Sequence, residues 1–109
     1  MAPDSAFELL EVKDCRKYRK HIYRLARALD DTFINHFKFL GSPVVTPFRQ
    51  YVPNAHDLLT IRSEAFDLEL SGGLQGDNLY VTFGNKEQSL VDFLEDELRR
   101  WMGQEQKAD

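Results

Sequence analysis

Cysteine occurs once, at Cys15, so no disulfide can close within the chain, and a reducing, cytoplasmic setting is expected. Glycine (6) and proline (4) are too sparse among 109 residues for a fibrous or low-complexity protein. No apolar run approaches the roughly 18 residues that a membrane-spanning helix needs. Asn-x-Ser/Thr sequons are missing. Met1 to Glu8 has neither a basic leader nor a long apolar stretch, so no signal or transit segment is expected. The three histidines, His21, His36 and His56, are scattered and form no H-x-x-x-H pair, and Cys15 has no C-x-x-C mate. A metal centre needs converging ligands, so no metal or cofactor site is expected.

What remains is ordinary for a folded domain: 42% hydrophobic, 12% aromatic and 29% charged residues, with a net charge of −4. The length fits one domain over 1–109, with 104–109 read as a frayed tail after Gly103.

The pattern from Asp14 to about Phe39 reads as one long helix. Tyr18, Ile22, Leu25, Leu29, Phe33, Phe37 and Leu40 fall on one arc at 100° per residue, and Gly41-Ser42-Pro43 stops the run. A break at Asp30-Asp31, where either aspartate could cap a second helix, is the alternative. Ahead of it, Ser5-x-x-Glu8 has the form of a capping box, although Phe7 to Val12 could equally be a short strand.

After Pro43 the period changes. Val44 to Val52, with Pro47 inside it, reads as an edge strand or two short strands. Leu58 to Ser63 is a further strand candidate. Phe66, Leu68 and Leu70 alternate with acids, and Leu79, Val81 and Phe83 alternate with Tyr80 and Thr82, so both stretches read as half-buried strands. Between them, Ser71 to Asn78 is a Gly-rich hairpin connection. A final helix starts near Asn85 with Leu90, Val91, Leu94, Leu98, Trp101 and Met102 on one stripe, and Glu95–Arg99 and Asp96–Arg100 as i,i+4 pairs. The expected fold is a two-layer α+β domain: a long N-terminal helix, an antiparallel sheet of three or four strands, and a C-terminal helix packed on that sheet.

Seven of the fourteen Lys and Arg residues lie between Lys13 and Arg27. On a helix, Lys13, Arg16, Lys17, Lys20, Arg24 and Arg27 would share an arc of about 100° opposite the apolar one, flanked by Tyr23. Such a stripe is most often a solvated face. Used functionally, Arg16, Lys17, Lys20, Tyr23, Arg24 and Arg27 would form a cationic ridge for an acidic partner, and the acid-rich last helix could lie beside it in the same chain or in a second copy.

No reactive constellation competes with this reading. Cys15 projects near the apolar stripe and is expected to be a buried, inert thiol, and His36 lies on the same arc. His56 beside Asp57 is the best-exposed base, but nothing else marks it. The glycines from Gly72 to Gly76 lack the Lys-Ser/Thr and following helix of a phosphate loop. Phe39 and Phe93 depart from their helices' apolar arcs and, if exposed together, could mark an association surface.

The sequence therefore points to a small non-catalytic protein-interaction module that self-associates, as a homodimer, with an acidic protein as a further partner. RNA or another polyanion bound by the basic stripe is the alternative, disfavoured by the acidic total.

Overall fold

The computed structural model describes residues 6–107. Within them, β1 (Phe7–Asp14) and β2 (Arg19–Leu25) form an N-terminal hairpin, and α1 (Asp31–Phe37) follows. Next come β3 (Pro43–Thr46), a 3-10 turn at Phe48–Gln50, β4 (Leu58–Ser63), β5 (Leu68–Gly73), β6 (Asn78–Phe83) and α2 (Gln88–Lys107). The six strands form one sheet in the order β1-β2-β6-β5-β4-β3, every pairing antiparallel. The pairing of β2 with β6 joins the two ends of the chain. The connection from β2 to β3 must cross the sheet, and it carries α1 over the same face that α2 covers.

This overturns the expected architecture of a long N-terminal helix on three or four strands. Residues 14–40 do not coil continuously, because β2 runs through the middle of the proposed helix. Its true period is two. His21, Tyr23 and Leu25 are buried under the helices, while Lys20, Ile22 and Arg24 take the other face. An arginine, a histidine and a tyrosine stand at three of the four helix-side positions, Arg19, His21, Tyr23 and Leu25, so the strand lacks the apolar alternation that reveals a half-buried strand. Helix begins only at Asp31. Asp30 caps it, accepting from the backbone N–H of Thr32 at 3.0 Å and of Phe33 at 3.3 Å. Phe7 to Val12 lies within a strand, and Ser5, the proposed capping residue, is outside the described residues.

The later elements follow their local signals. Alternation puts Leu59 and Ile61 of β4, Leu68 and Leu70 of β5, and Leu79, Val81 and Phe83 of β6 into the core. Phe33 and Phe37 of α1 meet Val91, Leu94, Leu98 and Trp101 of α2 above them. Pro47 ends β3 after four residues, and that strand lies at a sheet edge, where a missing N–H costs nothing. Gly103 does not stop α2, which continues to Lys107. The cationic partners inside that helix sit at i,i+3: Arg99 bonds Asp96 at 3.0 Å and Arg100 bonds Glu97 at 2.8 Å. Gly72 lies where the loop before α1 crosses β5. A Cβ there would press on the Leu29 methyl and on the Asn78 carbonyl at 2.7 Å, so the closeness of that crossing requires glycine.

No helix among the described residues is long and apolar enough to cross a membrane.

Candidate interaction surface

The inward positions of β2 hold a polar network. The Tyr23 hydroxyl donates to Glu95 Oε2 of α2 at 2.9 Å, and His21 Nδ1 lies 2.8 Å from the same hydroxyl. That hydroxyl has one hydrogen, already committed to the carboxylate, so His21 must donate through Nδ1–H. Burial, and after it the Arg19 guanidinium, hold the His21 imidazole below its ordinary value of 6.5. The neutral ring is the form the fold accommodates. The folded protein therefore binds this proton less tightly than the unfolded chain. The stability from this site is complete above 6.5 and declines as the pH falls below it. Denaturant midpoints measured from about pH 7 down to about pH 5 should fall for the wild type and fall less for His21→Gln. An identical slope in the two proteins would remove His21 as its cause.

A second cluster fastens α1 to α2. Thr32 Oγ1 accepts from Trp101 Nε1 at 3.0 Å and from Arg27 at 2.9 Å, and it donates to Asp30. Burial pushes the Asp30 carboxyl up, but the bonds from Thr32 and Phe33 and the charge of Arg27 together hold it below its ordinary value. His36 Nε2 and Glu97 Oε1 meet at 2.9 Å on the facing sides of the two helices.

From Trp101 a file of rings runs outward. Trp101 stands edge-on to Phe33 at 5.0 Å, Phe33 meets Phe37 at 4.5 Å, and Phe37 stacks on Phe39 at 6.4 Å. Phe39 then meets Phe93 at 6.3 Å, and Phe93 stacks on Phe66 at 5.2 Å. The first three rings are fully buried, whereas Phe39 is 54% exposed and Phe66 38%. The file thus opens to solvent beside an open groove of about 380 Å³, lined among others by Phe66, Phe93, Leu90, Asp67, Glu87 and Ser89. The β4–β5 turn sets this rim. Ser63 Oγ accepts from the Phe66 N–H, and Asp67 adopts a left-handed φ of 55°. Its carbonyl accepts from the Gly84 N–H at 2.8 Å, and a Cβ at Gly84 would collide with its carboxylate. Among the described residues, no Lys or Arg pairs with Asp67 or Glu87, and both are exposed.

The basic candidates are not gathered into one ridge. Arg16 and Lys17 are exposed in the turn of the N-terminal hairpin. Lys20 and Arg24 lie on the outer sheet face, Lys20 5.4 Å from the Tyr80 ring centre and Arg24 3.6 Å from Glu8. Tyr23 is on the opposite face and fully buried, so its ring cannot stack on a ligand. Arg27 is half-buried against the Trp101 ring at 4.6 Å. Cys15 sits in the same turn as Arg16, half-buried rather than within a helix stripe. Lys86 ties that turn down, bonding Asp14 at 2.7 Å and the Cys15 carbonyl; its ammonium holds the Asp14 carboxyl below the ordinary value. His56 is exposed in the loop before β4. Among the described residues, no three His, Cys, Asp or Glu side chains converge as metal ligands would.

Phe39 and Phe93 touch, but Phe39 lies in the turn after α1 rather than on a long helix, and Phe93 is half-buried against the core. Phe66 was read as the inward residue of a strand and lies instead in the turn before β5. No family model, no curated protein and no solved structure matches the chain.

Proposed function

We propose that the chain is a non-catalytic protein-interaction module that self-associates and that docks a partner through the groove beside Phe39, Phe66 and Phe93. One observation carries the docking surface. Three phenylalanines that touch one another in sequence emerge at the mouth of a groove whose rim holds two carboxylates without ion-pair partners among the described residues. Solvent-exposed aromatic rings in contact are costly unless something covers them, and aromatic anchors in grooves dominate interface energies. The carboxylates fit a segment bearing Lys or Arg beside an apolar anchor. The earlier alternative, a polyanion on a helical basic ridge, loses its geometric basis with β2.

Titration of the isotope-labelled protein with a short Leu-Lys-Phe-Arg peptide tests the docking surface. Backbone signals of Phe66, Asp67 and Phe93 should move, the midpoint should rise steeply with salt, and Phe66→Ser/Phe93→Ser should abolish the shifts. Silence at millimolar peptide, or shifts elsewhere on the molecule, would reject this surface. Light scattering at high micromolar concentration addresses self-association separately.

A further inference from the structure

The two edges of the sheet are built differently. At one edge, β3 is only four residues long, begins with Pro43 and is followed by Pro47. Short, proline-flanked strands are how sheets refuse further strands. At the other, β1 is eight residues long with no proline, and among the described residues nothing pairs with its outer side. Leu9, Leu10 and Val12 on it are exposed, Leu9 by 42% and Val12 by 48%. Such an edge offers a full row of backbone donors and acceptors to another strand.

Pairing with β2 fixes which face each β1 residue takes. Phe7, Leu9, Val12 and Asp14 stand opposite Leu25, Tyr23, His21 and Arg19, on the helix-covered face. Glu8, Glu11 and Lys13 stand opposite Arg24, Ile22 and Lys20, on the open face. Leu10 is the extra residue of a bulge.

From this we infer that two copies of the chain join through β1, antiparallel about a twofold axis between Leu10 and Glu11. The inference deepens the self-association proposed above and rests on it. In that register Leu9 faces the second copy's Val12 on the helix side, and Glu8 faces its Lys13 on the open side. Symmetry supplies each contact twice. These two pairs match in face and in chemistry, apolar with apolar and acid with base, while Phe7 opposes Asp14 at the ends of the pairing and Leu10 opposes Glu11 at the bulge. Neighbouring registers fail. A shift of one residue sets Glu8 against Val12, on opposite faces, or Glu11 against Glu11. A shift of two the other way sets Glu8 against Glu11. The prolines of β3 limit growth at the far edge, so the pairing closes as a dimer with twelve strands rather than a fibre.

Cysteine cross-linking reads the register directly, in a Cys15→Ser background under mild oxidation. Opposed residues have Cα atoms about 4.5–5.5 Å apart, within the span of a disulfide. Leu9→Cys/Val12→Cys should therefore give a covalent dimer. Leu9→Cys alone should not, because those two sulfurs would start about 10 Å apart along the strands. Both positions are exposed, so neither variant threatens the fold. Independently, Glu8→Lys should raise the dimer Kd roughly tenfold, and Glu8→Lys/Lys13→Glu should restore much of it, with thermal melts checking each variant's fold. A dimer by light scattering that shows no such cross-link, or that ignores Glu8→Lys, would overturn the β1 pairing while leaving self-association standing. A strict monomer at high micromolar concentration would end both.

Discussion

Trp101→Ala should lower the unfolding free energy by about 3–5 kcal/mol, a large part of the total for a domain of this size. The indole is fully buried. One edge meets the Phe33 ring, and Arg27 stacks over its plane. Its N–H fills one of the bonds on Thr32 Oγ1, the hydroxyl that also takes Arg27 and answers the Asp30 cap. Alanine would leave a cavity where α2 meets α1, deprive Arg27 of its ring and weaken the first turn of a seven-residue helix that cannot persist alone. Trp101→Phe keeps most of the apolar contact and loses the N–H bond, so its cost should be smaller, about 1–2 kcal/mol. Guanidinium chloride titrations followed by circular dichroism would measure both, with the slope unchanged. A loss under about 1 kcal/mol for Trp101→Ala would show that the helix junction does not depend on the indole.

What could be read from the residues, and what could not, divides at Leu40. Beyond it, local and tertiary preferences agree. Alternation in Leu79 to Phe83 is apolar at every inward position, and Leu58 to Ser63 and the stripe of α2 are nearly as plain. Before it, they conflict. The N-terminal hairpin is rich in Arg, Lys, Leu and Glu, all good helix formers, and its inward positions include His21 and Tyr23. Those two are tolerated under the helices only because Glu95 arrives from a helix 72 residues away from Tyr23 to satisfy the hydroxyl. Nothing local reveals a partner so distant. The three- and four-residue spacings that imitated a helix combined residues from both faces of β2, the loop after it and α1. Asp30-Asp31 did carry the true boundary, since an aspartate cap leaves a signal in the sequence whatever precedes it.

The candidate surface was legible in the same partial way. Phe93 stood out by falling off the stripe of α2, whereas Phe39 lies in the turn beyond α1, so its departure from a long-helix arc had no basis in the fold. Phe66 was hidden because Phe66-x-Leu68-x-Leu70 alternates perfectly through the end of a turn. Only the left-handed backbone at Asp67, held by Gly84, breaks the strand there and turns the ring outward to Phe93. The unpaired edge of β1 was only half visible, since Phe7 to Val12 could equally be a short strand but nothing local placed it at the rim of a sheet.

Tyr23→Phe provides the strictest test of the β2 assignment, because it removes one oxygen and nothing else. The ring would still pack edge-on to Phe7 at 5.3 Å. Burial, followed by the nearby Glu95 charge and the hydrogen bond to it, pushes the Tyr23 phenol far above its ordinary value, so it is a neutral donor at neutral pH. Without the oxygen, His21 Nδ1–H loses its acceptor in a buried site, and Glu95 loses the donor that satisfies it. Leaving such groups unpaired costs about 1–3 kcal/mol, more than a surface substitution would. Glu95→Ala alone should cost less, since it removes the acceptor together with its charge. In the double variant the penalties should not add, giving a coupling of at least about 0.5 kcal/mol. Were residues 14–40 a helix with Tyr23 on its solvated flank, Tyr23→Phe would be neutral within about 0.5 kcal/mol and uncoupled from Glu95. The two arrangements therefore give opposite results in one double-mutant cycle of chemical denaturation.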